Sequence, residues 1–293
     1  MRILNFGSLN IDHVHRVDHI ARPGETIADR SLDIFAGGKG ANQSVALARA
    51  GADVSHAGRV GEDGRWLKDK LTEAGVDVEQ IEVDPHVRTG HAVIQVDDAG
   101  ENAILLHGGA NQAITPDQID HALSGFNKGD LLLLQNEINH VPALINAAAD
   151  RDMSICVNPA PMRDEVRDWP LDKVSLLIVN ETEGEALCGE PDPWEMLTRL
   201  TGITGGEVIV TLGDQGALYA GPGEAIHQPA IETNVVDTTA ADDTFIGYFL
   251  ARRAQGDPVE QCLKNAATAA GLCVAMAGAM DSIPGHIELP HPD

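Results

Sequence analysis

The chain has 293 residues, long for one ordinary domain and short for two, so one large core with a small appendage is expected. Hydrophobic residues make up 43% of it, which supplies a sizeable core and excludes wholesale disorder. Asp and Glu number 45 against 20 Lys and Arg, a formal charge of −25, which excludes nucleic acid and anionic membrane as partners.

That charge leaves phosphate-bearing ligands open, because backbone N–H groups build anion pockets whatever the net charge. Cys156, Cys188, Cys262 and Cys273 form no C-x-x-C pair and suggest neither a disulfide framework nor a zinc site. Asn10 and Asp12 bring polar groups too early for a signal peptide, so a reduced, cytoplasmic location is expected.

Along the chain, residues 3–6 form a first short apolar run, read as a buried strand. Residues 13–35 then alternate in a strand-like way, and a helical pattern follows at 42–50. Residues 89–107 alternate again, with Gly100 marking a turn. A helix is predicted at 115–123, opened by a Thr115 cap with Pro116 behind it. Strands at 131–134, 154–157, 176–179 and 208–212 then interleave with helices at 142–149 and 182–188. The uncharged stretch 266–280 is too short to span a membrane and reads as a buried helix leading into a strand.

This alternation predicts an α/β fold, a doubly wound and mostly parallel sheet sandwiched by helices. Residues 13–35 and 89–107 would form a small β-sheet lid, with 1–12, 36–88 and 108–293 as the core. A lid sheet offers an open edge, so a homodimer pairing two lids is expected.

Two segments carry chemistry. Asp237-Thr238-Thr239-Ala240-Ala241-Asp242-Asp243 leads small residues into carboxylates and then an apolar helix. Such a turn aims N–H groups at a phosphate, and Asp243 would be placed to take a proton from an attacking hydroxyl. Taken alone, the segment reads first as an acidic cap on an ordinary helix. Gly37-Gly38-Lys39-Gly40-Ala41-Asn42-Gln43 also precedes a helix but matches neither a Walker A loop nor a dinucleotide fingerprint. Its glycines permit close backbone approach to a ligand, while Lys39 and Asn42 offer donors for sugar hydroxyls. A glycine-rich turn without a ligand is the competing reading.

Together the two segments resemble the signature regions of the ribokinase-like (PfkB) carbohydrate kinases. The resemblance continues in order along the chain: Asn10-Ile11-Asp12, Arg22-Pro23-Gly24-Glu25-Thr26, Gly100-Glu101-Asn102 to Gly109-Ala110-Asn111, and Gln135-Asn136-Glu137. It ends with Asn158-Pro159-Ala160-Pro161, Asn180-Glu181-Thr182-Glu183 and Thr211-Leu212-Gly213-Asp214-Gln215-Gly216.

The resemblance implies an ATP-dependent sugar kinase, closest to ribokinase, that uses Mg2+ and a monovalent cation such as K+. Asn10, Asp12, Gly38, Lys39, Asn42 and Glu137 would hold the sugar, and Asp243 would be the general base. Asn180, Thr211, Gly213, Gly216 and Asp242 would line the nucleotide site, with Glu183 organising Mg2+ and its waters. Asp237, Thr239, Cys273, Met276, Gly278 and Ser282 would ligate K+, mainly through backbone carbonyls. Phosphoryl transfer needs positioning and charge neutralisation above all, which suits this set.

The chain departs from the family pattern at Asp242, where the residue before the catalytic aspartate is ordinarily Gly. Aspartate would lose freedom in φ and bring a second negative charge to the anion site. Like charges about 4 Å apart repel by roughly 4 kcal/mol at an effective dielectric near 20, worth several hundredfold in rate. Ala267 near the adenine, and Met276 and Ala277 in place of a basic pair, are lesser departures. Asp12, His13, His15, Asp18 and His19 invite a metal reading, but His13 and His15 share a strand face opposite Asp12, so partly exposed histidines are expected.

Two alternatives stay open beside ribose phosphorylation. One is a kinase for another sugar or a nucleoside, and the other a ligand-binding pseudokinase disabled by Asp242. A simple dehydrogenase is disfavoured because no G-x-G-x-x-G follows a strand.

Overall fold

The computed structural model describes residues 1–285 and arranges them in two sheets with flanking helices. Strand β1 (Ile3–Phe6) leads to β2 (Asn10–Arg16) and β3 (Ser31–Gly37), then through helix α1 (Lys39–Arg49) to β4 (Val54–Gly61). Helix α2 (Arg65–Glu73) and β5 (Ile81–Asp84) follow, then β6 (Gly90–Val96), β7 (Asn102–His107) and α3 (Pro116–Leu123). Strand and helix next alternate through β8 (Leu131–Gln135), α4 (Val141–Ala149), β9 (Ser154–Asn158), β10 (Leu176–Asn180) and α5 (Glu181–Cys188). The chain ends on α6 (Pro193–Thr204), β11 (Glu207–Thr211), β12 (Ala217–Gly221), β13 (Glu224–Gln228), α7 (Ala241–Gln255) and α8 (Val259–Cys273).

The larger sheet has nine strands in the order β13-β12-β11-β10-β9-β8-β1-β4-β5. Its strands run parallel from β11 to β5, and the β12–β13 hairpin closes one edge in antiparallel fashion. Strands covered on both faces need apolar side chains throughout, which explains why every residue of β8 is buried. Val45, Leu71, Phe249 and Leu263, from α1, α2, α7 and α8, pack on one face. Leu123, Leu144, Leu187 and Leu197, from α3 to α6, pack on the other. The winding reverses between β1 and β8, and the crevice beyond the carboxyl ends of such strands is where doubly wound sheets bind ligands.

The smaller sheet has the order β3-β2-β6-β7 and draws on both alternating segments. Its pairs are antiparallel at β2–β3 and β6–β7 and parallel at β2–β6. Leu32, Ile34 and Phe35 on one edge strand, and Ile104, Leu105 and Leu106 on the other, are exposed.

Two expectations need correction. Helix α1 begins at Lys39 rather than at residue 42. Gly38, at φ 95°, supplies the left-handed turn into it, a conformation that side chains with a Cβ resist. Gly40 then lets the helix end press on β1, since a Cβ there would lie 2.4 Å from Ser8 N. The strand expected within 266–280 does not form: α8 ends at Cys273 and the chain turns. Its backbone is tied sideways instead, Val236 N–H donating to Val274 O at 2.8 Å and Gly278 N–H to Asp237 Oδ2 at 3.0 Å. Thr115 caps α3 as expected, accepting the N–H of Gln118.

Candidate active site

The crevice between β1 and β8 is closed by Glu137, whose Oε2 accepts the Ser8 hydroxyl and, at 3.0 Å, the N–H of Lys39. Gly40 N–H donates to Ser8 Oγ at 3.2 Å, so the strand ends and the helix start share one hydrogen-bonded corner. Asn10 is buried, and its Oδ1 accepts Asn111 Nδ2 at 2.7 Å. Asn111 also donates to Leu9 O and accepts the Leu9 N–H, which ties it to the start of β2. Two positions along, burial pushes the Asp12 carboxyl up to about 6, and the charge of Glu137 adds to the shift.

Asp243 lies in the first turn of α7 and is buried. Asn42 Nδ2 donates to its Oδ2 at 3.0 Å, and Gln43 Nε2 to its Oδ1 at 2.9 Å. The Oδ1 of Asn42 is itself buried and has no partner. Burial opposes the charge of the Lys39 ammonium, yet Asp243, Glu137, Glu183 and Asp242 together hold its pKa above the ordinary lysine value. One cation thus serves a ring of carboxylates.

The next strand ends extend the site. Asn180 caps α5 by accepting the N–H of Glu183 at 2.8 Å, and Glu183 returns a bond to the Asn180 N–H at 3.1 Å. Burial raises the Glu183 carboxyl, against the Asn180 N–H bond and the Lys39 charge, while Asp242 and Asp243 push the same way as burial. Thr211, at the end of β11, donates to Asp242 Oδ1 at 3.3 Å. Asp242 is exposed, lining a cleft beside the start of α7. Its carboxyl is raised by burial and by Asp243, and lowered by Lys39 and Thr211.

The expected backbone penalty at Asp242 is not found. The left-handed residue is Ala240, at φ 62°, whereas Asp242 is not among the residues of positive φ. Any effect of Asp242 is therefore electrostatic or steric.

A cleft of about 570 Å³ opens beside it, with Thr211, Gly213, Asp214, Gly216 and Asp242 at its polar end. Its apolar walls come from Ile231, Val235, Ala267, Ala270 and Val274. Such a polar end and flat apolar slot suit a nucleotide. Behind α7, Asp237 Oδ1 accepts the N–H and hydroxyl of Thr239, and its Oδ2 accepts Gly278 N–H. These bonds outweigh burial and keep the carboxyl below its usual range. Cys273 Sγ reaches Thr239 O at 3.7 Å and Ser282 Oγ at 3.2 Å, and the Ser282 hydroxyl contacts Gly278 O at 2.7 Å. Met276 shares this loop, but its side chain is exposed.

The structure thus brings Asn10, Asp12, Lys39, Asn42, Glu137 and Asp243 to one crevice, with Gly38 capping its helix. It sets Thr211, Gly213, Gly216 and Asp242 around the cleft and Asn180 and Glu183 between them. Ser8, Gln43, Gln135 and Asn158 belong to the site without having been assigned roles there. Gln135 and Asn158 had a usable signal: each is a polar residue ending a buried apolar strand. The histidines of residues 13–35 stand apart, His15 on β2 pairing with Asp29 and His19 in the β2–β3 loop with Glu25. Among the described residues, no cluster of His, Cys, Asp and Glu is arranged to hold a metal ion.

Residues 2–285 match the profile of the pfkB family carbohydrate kinases. The ribokinase of Staphylococcus aureus is 33% identical over 295 residues, covering 97% of this chain and 96% of that protein. Ribokinase from Cryptococcus neoformans, solved with ADP, superposes with a TM-score of 0.83 at 36% identity, over 98% of this chain and 97% of that one. Arabidopsis thaliana ribokinase, solved with ribose and ATP, gives a TM-score of 0.86 at 30% identity, over 98% and 96%. With the match running nearly end to end, the chain belongs to the pfkB family and is an ATP-dependent carbohydrate kinase.

Proposed function

We propose that the protein transfers the γ-phosphate of ATP to the hydroxymethyl group of ribose, with Asp243 as general base. The observation that carries this reading is Asn42, which grips Asp243 through Nδ2 and keeps a buried Oδ1 unpaired beside it. An unpaired buried acceptor costs roughly 1–3 kcal/mol, and a sugar hydroxyl next to the attacking one would satisfy it, leaving the attacking hydroxyl's proton for Asp243. Asn10, Asp12, Lys39 and Glu137 supply the remaining donors and acceptors, and Gly38 leaves the sugar room. The Arabidopsis complex with ribose and ATP supports ribose over other acceptors.

ATP would lie in the cleft, its adenine against Ala267 and Val274 and its phosphates toward Thr211, Gly213, Gly216 and the start of α7. Mg2+ would neutralise the phosphates, its waters held by Asn180 and Glu183. The loop cluster of Asp237, Thr239, Cys273, Met276, Gly278 and Ser282 is rich in carbonyl oxygens around an anionic carboxylate, a donor set suited to K+. The small sheet would act as the lid, and its exposed Leu32, Ile34, Ile104 and Leu105 support a homodimer built through it. Free thiols at all four cysteines support a cytoplasmic location.

One observation favours a second reading, a ligand-binding protein with impaired transfer: Asp242 sets a carboxylate at the phosphate end of the cleft. ADP release measured with Mg2+ and K+ against a panel of pentoses, hexoses and nucleosides decides. Ribose-dependent release supports the proposal, and release with a different acceptor alone replaces ribose. Calorimetric binding without any acceptor-dependent release establishes the second reading.

A further inference from the structure

Gln43 follows Asn42 on α1 and is completely buried. Its Nε2 donates to Asp243 Oδ1 at 2.9 Å and to Asn158 Oδ1 at 3.2 Å, while its Oε1 accepts Gln135 Nε2 at 2.6 Å. Gln135 Nε2 also donates to Asn5 Oδ1 at 3.0 Å, and Asn158 Nδ2 to Ile178 O at 3.0 Å. The orientation of each amide follows from these partners: Ile178 O only accepts, so Asn158 must turn its Oδ1 toward Gln43. Gln43 therefore presents its NH2 to two acceptors and its carbonyl to one donor. Through it, the carboxylate of Asp243 is tied to β1, β8, β9 and β10 at once.

We infer that Gln43 is a positioning residue for phosphoryl transfer, fixing the plane of the Asp243 carboxylate against the central sheet. The inference rests on Asp243 being the base. In that step the sugar hydroxyl gives its proton to Asp243, its oxygen bonds to the γ-phosphorus, and the bond to the β-phosphate oxygen breaks to release ADP. The carboxylate must offer a lone pair along the line of the hydroxyl, so its rotation matters as much as its location. Asn42 alone holds Oδ2 and leaves the plane free to turn about that bond. Gln43 removes this freedom. The charged groups around the carboxylate, Lys39 on α1, Glu183 on α5 and Asp242 beside it on α7, supply field but no hydrogen bond to it.

The test compares Gln43→Leu, Gln43→Met and Asp243→Asn with the parent enzyme, each checked for folding by circular dichroism and thermal melting. Gln43→Leu is expected to lower kcat roughly 10- to 100-fold while the KM values for sugar and ATP stay within about threefold. Unchanged kcat, or a loss confined to KM, overturns the role. If Gln43→Leu does not fold, Gln43→Met, of similar length and uncharged, carries the same test, with a kcat loss at unchanged KM supporting the role and a parental kcat ending it. Near-parental turnover in Asp243→Asn removes the base and the positioning role with it. A large loss there beside an unaltered Gln43→Leu removes the positioning role alone.

Discussion

Asn42 donates to Asp243 Oδ2 across 3.0 Å, joining residues 201 positions apart at the centre of the site. The adjacent Gln43 takes the other carboxylate oxygen. One helix start therefore holds both oxygens of the carboxylate at the start of another.

Removing the carboxylate's charge should separate chemistry from binding. Asp243→Asn is expected to lower kcat by at least about 10²-fold, the usual scale of a lost general base, with sugar affinity nearly intact. Asn42 can turn its unpaired Oδ1 to accept the new NH2, so the fold should be retained with stability near that of the parent. Steady-state kinetics and denaturant melts check both, and turnover within a few-fold of the parent would rule out the base.

At the sugar end, Asp12 gives a pH signature. Its carboxyl is pushed up to about 6, and only the ionised form accepts hydroxyl hydrogen bonds with both oxygens. The sugar KM should thus rise as pH falls through about 6 and level off above it. Asp12→Asn should flatten that dependence, and Asp12→Ala should weaken sugar binding about 5- to 150-fold with ATP binding little changed. A parent KM that is level between pH 5 and 7 would contradict the assignment.

Asp242→Gly is expected to raise kcat by roughly tenfold or more and to tighten ATP binding, since it deletes a carboxylate from the phosphate end of the cleft. The gain cannot come from relaxed backbone, because Asp242 is not at positive φ. Turnover at saturating ATP, sugar, K+ and Mg2+ is the measurement. Equal or lower kcat in the variant would mean that this carboxylate is screened or put to use.

His56 predicts acid sensitivity of the fold. Burial pushes its imidazole down to about 4, and its Nδ1 bonds the Ser44 hydroxyl at 2.8 Å. The folded form keeps His56 neutral while the unfolded chain protonates near 6.5. Its contribution is therefore complete above that pH and is lost as pH falls toward 4, by up to about 3 kcal/mol. Asp12 acts in the opposite sense over the same window, so the comparison must be between the parent and His56→Gln. The difference in their urea-unfolding free energies should narrow as pH falls from 7 to 4.5. A constant difference would show that His56 does not titrate in this way.

Much of this was legible in the residue order. The run of four leucines in β8 announces a strand buried on both faces, and the Thr115–Pro116 pair announces a helix start, because both signals are local. The Gly37–Gln43 and Asp237–Asp243 segments pointed to the family and to Asp243, since backbone approach and helix-start chemistry are written in adjacent residues. The partners of Gln43 and the burial of Asn42 were not legible. Neither was the ring of carboxylates around Lys39, nor the turn that replaces a strand after α8. Those depend on where strands β1, β8, β9 and β10 end relative to α1 and α7. Hydrogen-bond partners and electric fields act through space, and chain positions far apart in sequence become neighbours only when the sheet has closed.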